Sequence, residues 1–163
     1  MPPHERHPDV AQPSPAASSR TVSVPESEVP RAGRAVLERI AECIAARADF
    51  AFETTYVPPL RKAKAAGFQL QMYYLWLPSA DLALLRIRHR VESGGHDVPE
   101  VDVRRRFGRT LRNLFKLYRP LLDTLHFFDN ASEPPQLAFN DEAGKTTISD
   151  TTLYGHLRGE FGP

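Results

Sequence analysis

Apolar residues begin to recur at helical spacing near Arg31, with Leu37, Ile40, Ala41 and Ile44 at i, i+3, i+4 and i+7. This predicts a helix over about Ala32 to Ala48. Phe50-Ala51-Phe52 then reads as a short buried strand ending in the polar Glu53-Thr54-Thr55, and Pro58-Pro59 bars its continuation. Leu60 to Ala66 allows two helical turns before Gly67. Phe68 to Leu77 alternates at first and then turns apolar on both faces, the pattern of a central strand covered on each side by helices.

Ser79 is placed to cap a further helix, with Asp81 in its first turn and Gly94-Gly95 at its end. After Pro99 a long helix extends to about Leu122. At 100° per residue, Val103, Phe107, Leu111, Leu114, Tyr118 and Leu121 form one stripe, and Arg105, Arg109, Arg112, Lys116 and Arg119 the opposite one. Thr124 to Phe128 suits a strand, and Gln136 to Phe139 with Thr146 to Ser149 suits a hairpin. The order implies one α/β domain of three layers with a mainly parallel sheet, whose ligands sit beyond the carboxyl ends of strands.

Residues 1–30 differ in kind, since seven prolines are scattered among Ser, Ala and charges without periodicity. Such a stretch is expected to form a disordered tail. At 163 residues the chain fits a single domain. A formal charge of +1 gives no general attraction to nucleic acid, which is not an expected partner. The lone Cys43 excludes an internal disulfide, and no segment has the length and apolarity to span a bilayer. These features favour a cytoplasmic protein with no membrane partner.

Candidate chemistry gathers in two places. Glu53, Thr54 and Thr55 stand at a strand end, where a carboxylate and two hydroxyls can orient a substrate, or can cap the strand and satisfy loop amides. The stretch from Arg86 to Arg106 concentrates basic groups around a glycine hinge, and there Arg90, Arg104, Arg105 and Arg106 are the candidates for holding phosphate. For Arg112, Lys116 and Arg119 a solvated helix face is the expectation. Gly144-Lys145-Thr146-Thr147 imitates the end of a phosphate-binding loop, but Phe139 replaces the earlier glycine, so a turn is expected. The six histidines show no ligand spacing, and no protein-held metal is predicted.

Several short segments then agree in order with one family. Ala32-Gly33-Arg34, Phe50 to Thr55, Lys64-Ala65-Ala66-Gly67-Phe68, Tyr74-Leu75-Trp76-Leu77-Pro78, Gly94-Gly95-His96-Asp97-Val98-Pro99, Arg104-Arg105-Arg106, Leu111 to Phe115 and Asp129-Asn130 together resemble zeta-toxin-like P-loop kinases, a group also labelled predicted ABC-type ATPases. The resemblance covers about Arg31 onward and implies an ATP- and Mg²⁺-dependent phosphotransferase, which in characterised toxin members acts on the sugar of UDP-N-acetylglucosamine. It implies Glu53, Thr54 and Thr55 on the acceptor side and Arg90, Arg104, Arg105 and Arg106 facing the ATP phosphates. A Gly-x-x-x-x-Gly-Lys-Ser/Thr loop and the strand bearing the catalytic Asp do not occur in this sequence, and the stretch from Thr55 to Gly67 is short for the family. The expectation is therefore an N-terminally truncated kinase domain, impaired alone. A second reading is a non-catalytic module whose arginine face binds a protein or phosphate-bearing partner.

Overall fold

The computed structural model describes residues 29–52 and 58–161. The expected tail therefore lies almost wholly outside the described residues, and Glu53, Thr54 and Thr55 lie wholly outside them. Helix α1 (Val29–Ala46) buries Ile40 and half-buries Ile44, whereas Leu37 and Ala41 of the same stripe remain exposed. Phe50 and Phe52 do not form the expected strand. Their rings stack 5.7 Å apart and Phe50 meets Phe68 edge-on, so side chain packing holds this segment without strand pairing.

The two prolines open helix α2 (Pro58–Ala65), where the first turn has no intrahelical use for their missing N–H groups. Gly67 ends it at φ 85°. Strand β1 (Gln71–Trp76) leads to helix α3 (Ala80–Glu92), which the Ser79 hydroxyl caps by accepting the Leu82 N–H at 3.1 Å. Helix α4 (Glu100–Asn113) then continues through a π-helical turn (Leu114–Tyr118) and a 3₁₀ turn (Arg119–Leu121), close to the span predicted as one helix. Strands β2 (Thr124–Asp129), β3 (Gln136–Glu142) and β4 (Lys145–Ile148) and helix α5 (Thr151–Phe161) complete the described chain. None of the helices among the described residues is long and apolar enough to cross a membrane.

The sheet has the order β1-β2-β3-β4. Only β1 and β2 run parallel, while β2-β3 and β3-β4 are antiparallel, so the sheet is mixed and the expectation of a mainly parallel one is corrected. The reason is the chain's second half, where the predicted hairpin forms through a two-residue turn with positive φ at Ala143 and Gly144. Of the phosphate-loop look-alike, Gly144 lies in this turn as expected, while Lys145, Thr146 and Thr147 belong to β4.

Register sorts the side chains onto two faces. Met72, Tyr74, Trp76, Leu125, Phe127, Phe139 and Asp141 share the inner face, while Gln71, Tyr73, Leu75, His126, Phe128 and Leu137 share the outer one. The core lies on the inner side, where Leu60 and Ala63 of α2, Leu111 of α4, Leu114, Phe115 and Tyr118 of the π turn, and Leu157 of α5 pack against the strands. On the outer side Tyr73 is 64% exposed and Leu75 is 58% exposed. Among the described residues the domain therefore has two layers where three were expected. The Phe68–Leu77 stretch, read as a central strand, supplies instead the edge strand of the sheet among the described residues, its alternation reporting one covered face and one open face.

Candidate functional site

The carboxyl ends of the parallel strands lie side by side, with Trp76 in register with Asp129. Two bonds fix them: the Asn130 N–H donates to the Trp76 carbonyl at 2.8 Å, and Arg86 of α3 donates to the Asn130 carbonyl at 2.6 Å. Beside Trp76 opens a cavity of about 380 Å³, lined among others by Tyr74, Trp76, Phe107, Thr110, His156 and Phe161. Tyr74 comes from the inner face of β1, Phe107 and Thr110 from α4, and His156 and Phe161 from α5. Burial, reinforced by Tyr118, pushes the Tyr74 hydroxyl up to about 12, so it stays protonated and able to donate.

A bulge sets the position of α5. Between Phe127 and Phe128 the register shifts and leaves Ala138 unmatched, and its carbonyl accepts the N–H groups of Ser149 and Asp150 at 2.8 and 2.9 Å. Asp150 in turn caps the helix by accepting the Leu153 N–H at 2.9 Å. One and a half turns on, His156 and Glu160 project together, with Nε2 and Oε2 3.3 Å apart at the cavity wall. Sequence reading gave these residues no element and no role. The signal was present in the Asp150 cap and the Leu153, Leu157, Phe161 spacing, but Gly155 and Gly159 weakened it as a helix pattern.

The predicted arginines divide according to their partners. Arg90, at the end of α3, donates to the His96 carbonyl at 2.8 Å and packs under the loop so closely that a side chain at Gly95 would come within 2.5 Å of its Cγ. The two hinge glycines thus serve different needs: Gly94 supplies φ 86°, and Gly95 supplies room for Arg90. Arg104 bridges Glu100 and Asp81, each at 2.7 Å, and these bonds raise its pKa above the ordinary value. Arg105 pairs with Asp102 at 2.6 Å, holding that carboxyl below its usual range. The exposed Arg106 guanidinium has no hydrogen bond or ion pair among the described residues.

No two of these four arginines share a partner. Arg104 precedes Phe107 and Gly108 of the cavity wall by one turn, but its guanidinium is taken up by Asp81 and Glu100, and none of the four arginines lines the cavity. Arg106 accepts the Thr110 hydroxyl at its carbonyl, 2.8 Å away, one turn before that cavity residue.

Arg119 departs from the solvated face assigned to it. The π turn inserts an extra residue into the helical repeat, which buries Phe115 beside Leu114 and turns Arg119 inward. Its guanidinium makes two bonds to Asp141, at 2.6 and 3.0 Å, lies over Phe115 and Phe139, and is joined by Thr146, whose hydroxyl donates to Asp141 at 2.6 Å. Burial opposes its charge, but bonding to Asp141 and Tyr154 outweighs this and leaves the pKa raised. This cluster braces β3 and β4 against the helix end. No family model, no curated protein and no solved structure matches the chain.

Proposed function

We propose that the chain is a nucleotide-binding scaffold of the zeta-toxin-like phosphotransferase type, whose residues 1–163 bind the nucleotide without turning it over. One observation carries this reading: an aromatic-walled cavity at the carboxyl end of β1 is lined by Phe107, Gly108, Thr110 and Leu111 of α4, the helix whose preceding turn bears Arg104, Arg105 and Arg106. A volume of about 380 Å³ accommodates a nucleoside-sized group. Tyr74, Trp76, Phe107 and Phe161 offer ring faces to a base. Arg104 meets the phosphates by exchanging Asp81 or Glu100 for them, and Arg106 meets them directly.

By resemblance, the acceptor side falls to Glu53, Thr54 and Thr55, and the acceptor to a UDP-sugar or other small hydroxyl compound. A P-loop NTPase-like architecture belongs to the same proposal. Mg²⁺ would enter with the nucleotide, on its phosphate oxygens. Turnover by such enzymes depends on a lysine-bearing loop of backbone amides around the β- and γ-phosphates, and losing even one well-placed donor costs about 10²-fold in rate. The sequence of residues 1–163 contains no such loop motif.

A second reading, recognition of a phosphate-bearing partner without chemistry, is favoured by the exposed Arg106, whose guanidinium makes no hydrogen bond or ion pair among the described residues. Calorimetric titration with ATP-Mg²⁺, a UDP-sugar and a short RNA, together with a labelled γ-phosphate transfer assay, tests both. Binding of ATP without transfer is the expected result. Binding of RNA alone favours the second reading, and transfer that is lost in Glu53→Gln overturns the absence of turnover.

A further inference from the structure

Among the described residues strand β1 ends the sheet, and the strand itself carries none of the usual protections of an edge. Gln71–Trp76 runs for six residues without proline, charged side chain or bulge, the devices that keep exposed edges from pairing. The opposite edge strand, β4, is shorter and begins with Lys145. Among the described residues nothing pairs with the outer edge of β1, and beside it Tyr73 and Leu75 are exposed on the uncovered face. Tyr73 is already ordered there: its ring stacks on His126 at 4.8 Å, and Gln71 donates to its hydroxyl at 3.0 Å.

We propose that this edge pairs with the same edge of a second copy of the chain, antiparallel, about a two-fold axis normal to the sheet. Such an axis keeps both helical layers on one side, so opposed residues must come from the same face. A register centred on Tyr74 meets that condition. It sets Tyr73 opposite the partner's Leu75 on the outer face and Met72 opposite the partner's Trp76 on the inner face. These are aromatic-to-aliphatic cross-strand pairs, which stabilise antiparallel strands. Self-pairing near an axis brings every charge close to its own sign, and this strand carries no charge. The pre-ordered Tyr73 lowers the conformational cost of association.

Sedimentation equilibrium of the full chain from about 1 to 100 µM tests the proposal. The expected result is a monomer–dimer equilibrium that is lost when Tyr73→Lys and Leu75→Lys are combined and kept in Leu137→Lys, which charges the same face away from the edge. Both substituted β1 positions are exposed, so the circular dichroism spectrum should not change. Should the double variant fail to fold, hydrogen exchange of the unsubstituted protein replaces it, with β1 amides expected to gain protection as concentration rises. A monomer throughout, a dimer indifferent to the double substitution, a dimer lost equally in Leu137→Lys, or concentration-independent β1 exchange overturns the proposal. Leu75 also lines the cavity, so ATP titration of a Tyr73→Lys variant, which alters no cavity residue, separates this outcome from the nucleotide reading, which does not need the dimer.

Discussion

Tyr73 and Tyr74 are adjacent and chemically identical, yet they stand on opposite faces of one strand and live in different surroundings. Tyr74 stacks on the fully buried Phe127 at 5.3 Å, and its hydroxyl is pushed up to about 12, whereas Tyr73 is 64% exposed beside His126. The inner face carries the stability of the domain and one wall of its cavity. The outer face and its edge are spare surface for contact. One strand thus supplies both a core and an interface, because side chain period two divides it cleanly.

The comparison breaks most visibly at Phe127, whose ring also stacks on Phe139 at 4.7 Å. Phe127→Ala should destabilise by about 3–5 kcal/mol through lost burial and a cavity, while Leu75→Ala on the outer face should stay within about 0.5 kcal/mol. Urea unfolding of both variants at a concentration where the protein is monomeric checks the contrast. A comparable loss in the two would mean that the faces are not energetically distinct.

A smaller effect is expected where the inner face becomes polar. Arg119→Met leaves the largely covered Asp141 carboxylate with only the Thr146 hydroxyl and should cost about 2 kcal/mol. Combining it with Asp141→Asn should recover part of that loss in a double-mutant cycle. Strict additivity would show that the two groups do not interact.

Alkaline titration sharpens the contrast further. Tyr74 has a folded pKa above that of the unfolded chain, so its contribution is fully present below about pH 10 and declines as pH rises toward about 12. Tyr74→Phe should flatten this part of the stability curve, whereas Tyr73→Phe should leave it in place. The check is chemical denaturation across that pH window.

Local elements were legible in the sequence because local rules govern them: Ser79 caps α3, Gly67 and Gly94 end helices at positive φ, and a hairpin forms in the Gln136 to Ser149 region, though its arms run on to Glu142 and Lys145 and leave a two-residue turn. The sheet was less legible. Apolar residues on both sides of Gln71–Trp76 imply two covered faces only when something lies over each, and a local pattern does not reveal what packs there. The π turn was similarly hidden, since an ideal 100° wheel extended past Leu114 misplaces both Phe115 and Arg119. Of the candidate site, the strand-end position of Trp76 and the arginines of α4 could be read from order, but the wall supplied by His156, Glu160 and Phe161 depends on a bulge at Ala138 with no sequence signature. Glu53, Thr54 and Thr55 lie outside the described residues.

Trp76 is the only tryptophan in the sequence and lines the cavity assigned to the nucleotide, so its fluorescence reports directly on that assignment. Titrating ATP-Mg²⁺ to about 1 mM at low salt should give a saturable change in Trp76 emission, weakened by added salt and by Arg104→Ala. An unchanged emission over the whole titration, or a change indifferent to both salt and Arg104→Ala, would contradict nucleotide binding at the carboxyl end of β1.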